Sequence, residues 1–177
     1  MALKKPFNLH KWVEENRHLL QPPVANKNLY VDSEDYIVMI VGGPNARKDY
    51  HYNESEELFY QLEGNIQIAV QHQGKKEVLT LGPGDMFLLP AKMHHSPIRT
   101  AGSIGLVVEN KRKEAGAKDG LIWYCEHCNE KLHEVYFVLN DIEEDFLPHF
   151  KHFYQSEALR TCKNCGEIMP TDERFVK

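Results

Sequence analysis

No stretch of this chain stays apolar for anything near the roughly 20 residues that a membrane span needs. The opening Met1-Ala2-Leu3-Lys4-Lys5-Pro6 lacks the apolar core of a secretory signal. Positive charge is not in surplus: 21 basic residues face 26 acidic ones, for a net charge of -5 and no basic tail. That balance argues against nucleic acid as the main partner. Internal repeats and low-complexity tracts are also missing. Together these absences point to a cytoplasmic protein with neither a membrane nor nucleic acid among its partners. Cysteine is scarce, at four, and the four fall as two Cys-x-x-Cys pairs, Cys125/Cys128 and Cys162/Cys165. In a reducing compartment that spacing means metal rather than disulfides.

What is present suffices for one good core and a small appendage: 177 residues, 42% hydrophobic and 27% charged. Asn8 is placed to cap a helix from Leu9 to about Leu20, with Leu9, Trp12, Val13, Leu19 and Leu20 on its apolar face, and Pro22-Pro23 would end it. Leu29-Tyr30-Val31 reads as a short strand and Tyr36 to Val41 as a buried one. From there to Glu109 short strands alternate with turns: Glu57 to Leu62, Asn65 to Gln71, Lys76 to Leu81, Met86 to Leu89 and Gly105 to Glu109. Regular short strands of this kind suggest a sandwich or a barrel. The polar stretch Lys111 to Lys118 reads as a linker. Beyond it come Trp123-Tyr124-Cys125, a strand Val135 to Leu139, an acidic patch Asp141 to Asp145, and a helix from near Pro148 that buries Phe150, Phe153 and Tyr154.

Three constellations carry chemistry. His51 and Glu57 flank a turn into a strand, and His94-His95 follow another strand and Pro90. Alternation along the strand puts Glu57 on the face of Phe59 and Glu56 on the other. The adjacent histidines point oppositely if extended, so only one should be a ligand. Two histidines and a carboxylate suit non-haem Fe(II), with about half of an octahedral sphere left open, although Mn, Zn or Ni also accept such ligands. Arg47 and Arg99 lie beside the ligand segments and Glu109 ends a strand. Paired guanidiniums of this kind form an anion trap, because each can grip a carboxylate with two bonds. The cysteine quartet is a tetrahedral all-sulfur signal for Zn or Fe. A thioredoxin-like redox role is weaker, since neither pair opens a helix after a strand.

Gly43, His51, Asn53, Glu57 and Gly64 resemble the first cupin motif, and Gly84, Pro90 and His95 the second. Asn53 stands where many cupins have a further histidine, which reduces the set to His51, Glu57 and His95. Pro22-Pro23-Val24-Ala25-Asn26, Val41-Gly42-Gly43-Pro44-Asn45, Asp49-Tyr50-His51, Phe59-Tyr60-Gln61, Phe87-Leu88-Leu89-Pro90, His95-Ser96-Pro97 and Trp123-Tyr124-Cys125 resemble the 3-hydroxyanthranilate 3,4-dioxygenase family. The likeness is to its bacterial and fungal form, which carries a C-terminal rubredoxin-like metal site. It implies a mostly β fold: a jelly-roll-like cupin β-barrel with a few helices over 1–110, then a four-cysteine metal segment and a C-terminal helix over 111–177. It also implies ring opening of 3-hydroxyanthranilate with O2, on the way to quinolinate and NAD. The implied ligands of a catalytic Fe(II) are His51, Glu57 and His95, and a second Fe or Zn would sit on Cys125, Cys128, Cys162 and Cys165. Substrate contacts are implied at Asn26, Arg47, Glu57, Arg99 and Glu109. Arg47, Glu57, Arg99 and Glu109 would serve catalysis, with Arg47 on the dioxygen side. A homodimer is expected. The alternatives are another cupin metalloenzyme, such as an isomerase or thiol oxidase, and a non-catalytic small-molecule sensor.

Overall fold

The computed structural model describes residues 3, 5–21, 25–45, 47–112, 117–139 and 145–176. The Pro22-Pro23 helix stop, the middle of the 111–118 linker and all but the last residue of the acidic patch lie outside the described residues. Asn8 caps α1 (Leu9–Asn16), its side-chain oxygen accepting from the Lys11 amide at 2.9 Å. The helix ends earlier than expected, tightening into a single 3-10 turn over Arg17–Leu19. Val13 and Leu20 then bury against Ile40, Leu62 and Ile104, so this segment covers the outer face of a sheet.

That sheet has five strands in the order β1-β2-β9-β4-β7, where β1 is Asn26–Asn28, β2 Tyr36–Gly42, β4 Glu57–Glu63, β7 Met86–Leu89 and β9 Ile104–Asn110. The second has six, β11-β10-β3-β8-β5-β6: β3 is Tyr50–Tyr52, β5 Ile66–His72, β6 Lys75–Leu81, β8 His95–Arg99, β10 Asp119–Tyr124 and β11 Lys131–Phe137. Met39, Phe59 and Val107 of the first sheet face Ile66, Ile68 and Val70 of the second across the main core. Alternation along β4 sends Glu57, Phe59 and Gln61 into this interior, which is why two polar side chains share a face with an aromatic one.

The barrel expectation is overturned. Among the described residues no strand pair bridges the two sheets, and each keeps two free edges. The far side of β10 is taken by β11, which turns away to build the C-terminal segment instead of closing on the other sheet. The mostly β character, the few helices and the four-cysteine segment stand. In that segment α2 (Leu147–Gln155) buries Phe150, Phe153 and Tyr154 against Leu121 and Trp123 of β10, and a four-residue α3 (Glu157–Arg160) leads to the second cysteine pair. No helix among the described residues is long and apolar enough to cross a membrane.

Candidate metal centre

The two histidines meet because β3 and β8 pair in register at His51 and His95. Glu57 comes from the opposite sheet, at the first position of β4. One ligand atom from each lies within 4.8 Å of the others. A carbonyl can only accept, so the 3.0 Å contact from His95 Nδ1 to the Met93 oxygen puts the proton on Nδ1 and leaves the Nε2 lone pair free. By the same reasoning, the 2.7 Å bond from His51 Nε2 to Asp119 Oδ1 leaves His51 Nδ1 as the free nitrogen. His94, on the other face, bonds the Tyr124 hydroxyl at 2.7 Å and takes no part in the cluster.

Glu57 Oε2 lies 3.0 Å from His95 Nε2 yet makes no hydrogen bond, although it is fully buried. Two lone-pair donors turned on each other in a dry interior repel, and a cation between them removes the repulsion. The donor set therefore fits a divalent metal, and two nitrogens with one carboxylate leave positions open on Fe(II). Burial depresses the basicity of both histidines. His51 stays lowered, whereas the Glu57 carboxylate and the Met93 carbonyl more than offset burial at His95 and raise it.

Glu109 sits opposite Glu57 across the β4–β9 ladder. Asn53 Nδ2 and Arg112 Nη1 both donate to its Oε2 at 2.8 Å. Burial, followed by the nearby Glu57 charge, pushes its carboxyl up to about 7 against the pull of Arg112. Arg99 is 4% exposed, and among the described residues its guanidinium has no hydrogen-bond partner; Nη1 is completely buried. Gly105 leaves it room, since a β-carbon there would fall 3.1 Å from Arg99 Nη1 and 2.7 Å from Gln61 Oε1. Burial lowers Arg99 to about 10.

Arg47 is anchored on buried Asp49 through paired contacts, with its guanidinium 5.7 Å from the ring centres of both Phe146 and Phe150. Phe146 also meets His51 edge-on at 5.7 Å. Asn26 stands exposed on β1 opposite Val41, in the cross-strand row that continues to Gly105, and lies outside the ligand cluster. The four cysteines converge into a second cluster. Its two knuckles match: the Cys125 amide donates to Glu130 and its carbonyl accepts from Asn129, while Cys162 does the same with Glu167 and Gly166. Asn129 and Gly166 hold φ of 62° and 78°, the turn each knuckle needs.

Sequence reasoning missed Arg112 and Asp119. Arg112 falls in the stretch read as a linker, and only its position three residues past Glu109 could have marked it. Asp119 opens an otherwise apolar strand, and that break in the run was the available signal.

The family model described as 3-hydroxyanthranilic acid dioxygenase matches residues 1–154. A 3-hydroxyanthranilate 3,4-dioxygenase of Xanthomonas campestris pv. campestris is 54% identical over 174 residues, covering 98% of this chain and 97% of that protein. One of Bacillus thuringiensis is 46% identical over 167 residues, covering 94% and 92%. The solved structure of a cupin-2 domain containing protein from Shewanella frigidimarina aligns with a TM-score of 0.47 at 19% identity, over 55% of this chain and 91% of that one. With two nitrogens and a carboxylate converging between the sheets, and the match running nearly end to end, this chain belongs to the 3-hydroxyanthranilic acid dioxygenase family.

Proposed function

We propose that this chain opens the aromatic ring of 3-hydroxyanthranilate with O2, giving 2-amino-3-carboxymuconate semialdehyde, the precursor of quinolinate in NAD biosynthesis. The observation that carries the reading is the pairing of a dry three-ligand cluster with a buried, unpartnered arginine. The first suits an open-sided Fe(II) and the second suits an anionic aromatic acid. When bound, iron supplies a common meeting point for dioxygen and the adjacent hydroxyl and amino groups of the electron-rich ring.

The protein's own groups do the rest. His51, Glu57 and His95 hold the metal from two sheets. Arg99 grips the substrate carboxylate, which fixes the ring's orientation. Glu109, with a carboxyl near 7, is poised to take or return a proton at its Oε1, because among the described residues both of its hydrogen bonds arrive on Oε2. Arg47, held by Asp49 and two aromatic faces, directs positive charge toward negative charge developing on the oxygen side. Asn26 contributes a contact at the rim. The four-cysteine site carries Fe or Zn in a structural role, since four thiolates fill a tetrahedral ion. The protein works in the cytoplasm, in keeping with four unpaired thiols. It assembles as a homodimer, a reading supported by the apolar Met86 and Leu88 exposed on the free edge strand β7.

The test is anaerobic loading with Fe(II), then addition of 3-hydroxyanthranilate in air while product absorbance and dissolved oxygen are followed. Equimolar oxygen uptake and product formation are expected. A loaded protein that binds the compound without consuming oxygen would establish the non-catalytic reading instead.

A further inference from the structure

We propose that Arg112 and Asp119 are positioning residues that couple the metal ligand His51 to Glu109 across the gap between the two sheets. The proposal rests on the functional reading only in treating Glu109 as a group that meets substrate. Asp119, the first residue of β10, has no exposed surface and belongs to the six-stranded sheet, whereas Glu109 belongs to β9 of the five-stranded one. Arg112 lies between them with all three guanidinium nitrogens engaged. Nε donates to Asp119 Oδ2 at 2.9 Å, Nη2 to Asp119 Oδ1 at 2.5 Å, and Nη1 to Glu109 Oε2 at 2.8 Å and to the Asn110 carbonyl at 3.2 Å. Asp119 Oδ1 is the same atom that accepts from His51 Nε2 at 2.7 Å.

Two features separate this from an ordinary structural salt bridge. The first is that the carboxylate ends on the ring nitrogen of a metal ligand. A carboxylate there fixes the imidazole's tautomer and rotation and makes the other nitrogen a better donor. The second is charge. Asp119, Glu109 and Glu57 would crowd three carboxylates into one dry enclosure, and Arg112 is the cation bonded to two of them. A movement of Glu109 is therefore felt at Asp119, and through it in the aim of His51. Lysine, a point charge without a fork, cannot hold both carboxylates in this geometry.

The experiment uses the full chain with zinc at the four-cysteine site. Co(II) affinity at the three-ligand site is measured by chelator competition, together with the visible Co(II) spectrum and the zinc content. Asp119→Ala is expected to weaken Co(II) binding by about 10- to 100-fold, the usual range for losing such a partner, with one zinc per chain retained. Asp119→Asn keeps an oxygen that accepts from His51, so it should show a smaller loss and a shifted spectrum. Arg112→Gln should weaken Co(II) several-fold, and Arg112→Lys should recover only part. Wild-type affinity and spectrum in both Asp119→Ala and Arg112→Gln would overturn the assignment. So would parallel loss of zinc and Co(II), which would mean the network merely holds the sheets together. If Asp119→Ala does not fold, Asp119→Asn decides: an unchanged affinity and spectrum would overturn the proposal. Turnover is not needed for any arm, so a wild type that binds Co(II) normally but does not open the ring would defeat the functional reading alone.

Discussion

Replacing Arg99 by methionine should make the empty protein more stable and the working enzyme far worse. Burial pulls this guanidinium well below its ordinary value, to about 10. At about 1.4 kcal/mol per unit, holding the charge in place destabilises the empty fold by roughly 3 kcal/mol. The sign follows from the direction. A cation whose folded value lies below its unfolded one imposes its full penalty below the folded value, and the penalty fades as pH climbs toward the unfolded one. At neutral pH the whole penalty applies, so metal-free Arg99→Met should resist denaturant better by on the order of 1–3 kcal/mol. On the proposed function, the substrate carboxylate turns this liability into affinity. Breaking a buried, hydrogen-bonded charge pair from one side costs about 3–5 kcal/mol, or on the order of 10²- to 10⁴-fold in kcat/KM for 3-hydroxyanthranilate. The control is 2-aminophenol, which lacks the carboxylate: wild type should turn it over poorly, and Arg99→Met should match wild type on it within a few fold. Urea melts without metal, with kcat/KM for both compounds, complete the cycle. Equal losses on the two substrates would refute the carboxylate assignment, and a destabilised Arg99→Met would refute the picture of an unpartnered buried charge.

His51→Ala or His95→Ala should lose the catalytic metal and all activity while keeping the metal on the cysteines and the fold, as elemental analysis and circular dichroism would show; His94→Ala should keep both metals. Glu109 has a folded value raised to about 7 from 4.5, so in the metal-free chain its contribution to stability should be greatest below pH 4.5 and fall away as pH rises to about 7. Glu109→Gln should flatten that part of the pH–stability curve and reduce kcat. Cys125→Ala with Cys128→Ala should make the tail sensitive to limited proteolysis. It should also lower, without abolishing, turnover per catalytic iron, because α2 carries Phe150, one of the two rings against Arg47, and Phe146 stands just before it; a tail still protected alongside abolished turnover would point to a direct part for the second metal.

Where side chains alternate or caps are local, the sequence was readable. Asn8, the β4 face shared by Glu57 and Phe59, and the buried trio of α2 all follow from short-range pattern. The two histidine-bearing strands were the hard ones. Tyr50-His51-Tyr52 is too short to show a period. His95 to Arg99 contains Pro97, which reads as a breaker; it is tolerated because pairing of β8 with β3 reaches only His95, so no ladder bond is needed there on that side. Leu29 to Val31 has the stronger strand composition, yet β1 forms over Asn26–Asn28, where the register against Val41 to Met39 decides the matter. Asp119 and Arg112 acquire meaning only from the partners that folding brings to them, one 68 positions away in the chain.

The two free edges of each sheet change what the metal does mechanically. In a closed barrel, backbone hydrogen bonds would set the distance between His51 and His95 on one wall and Glu57 on the other. Here no strand ladder spans that gap among the described residues, so a bound ion would add a direct tie between two leaves that are otherwise joined by the packed core and the Arg112 bridge. Filling the site should slow amide exchange in β4 as well as in β3 and β8, although each of these three strands already has a neighbour on both sides. Ligand spacing, and with it the selectivity among divalent ions, then becomes a property of how the leaves are clamped, and substitutions far out on the edge strands should be able to retune it.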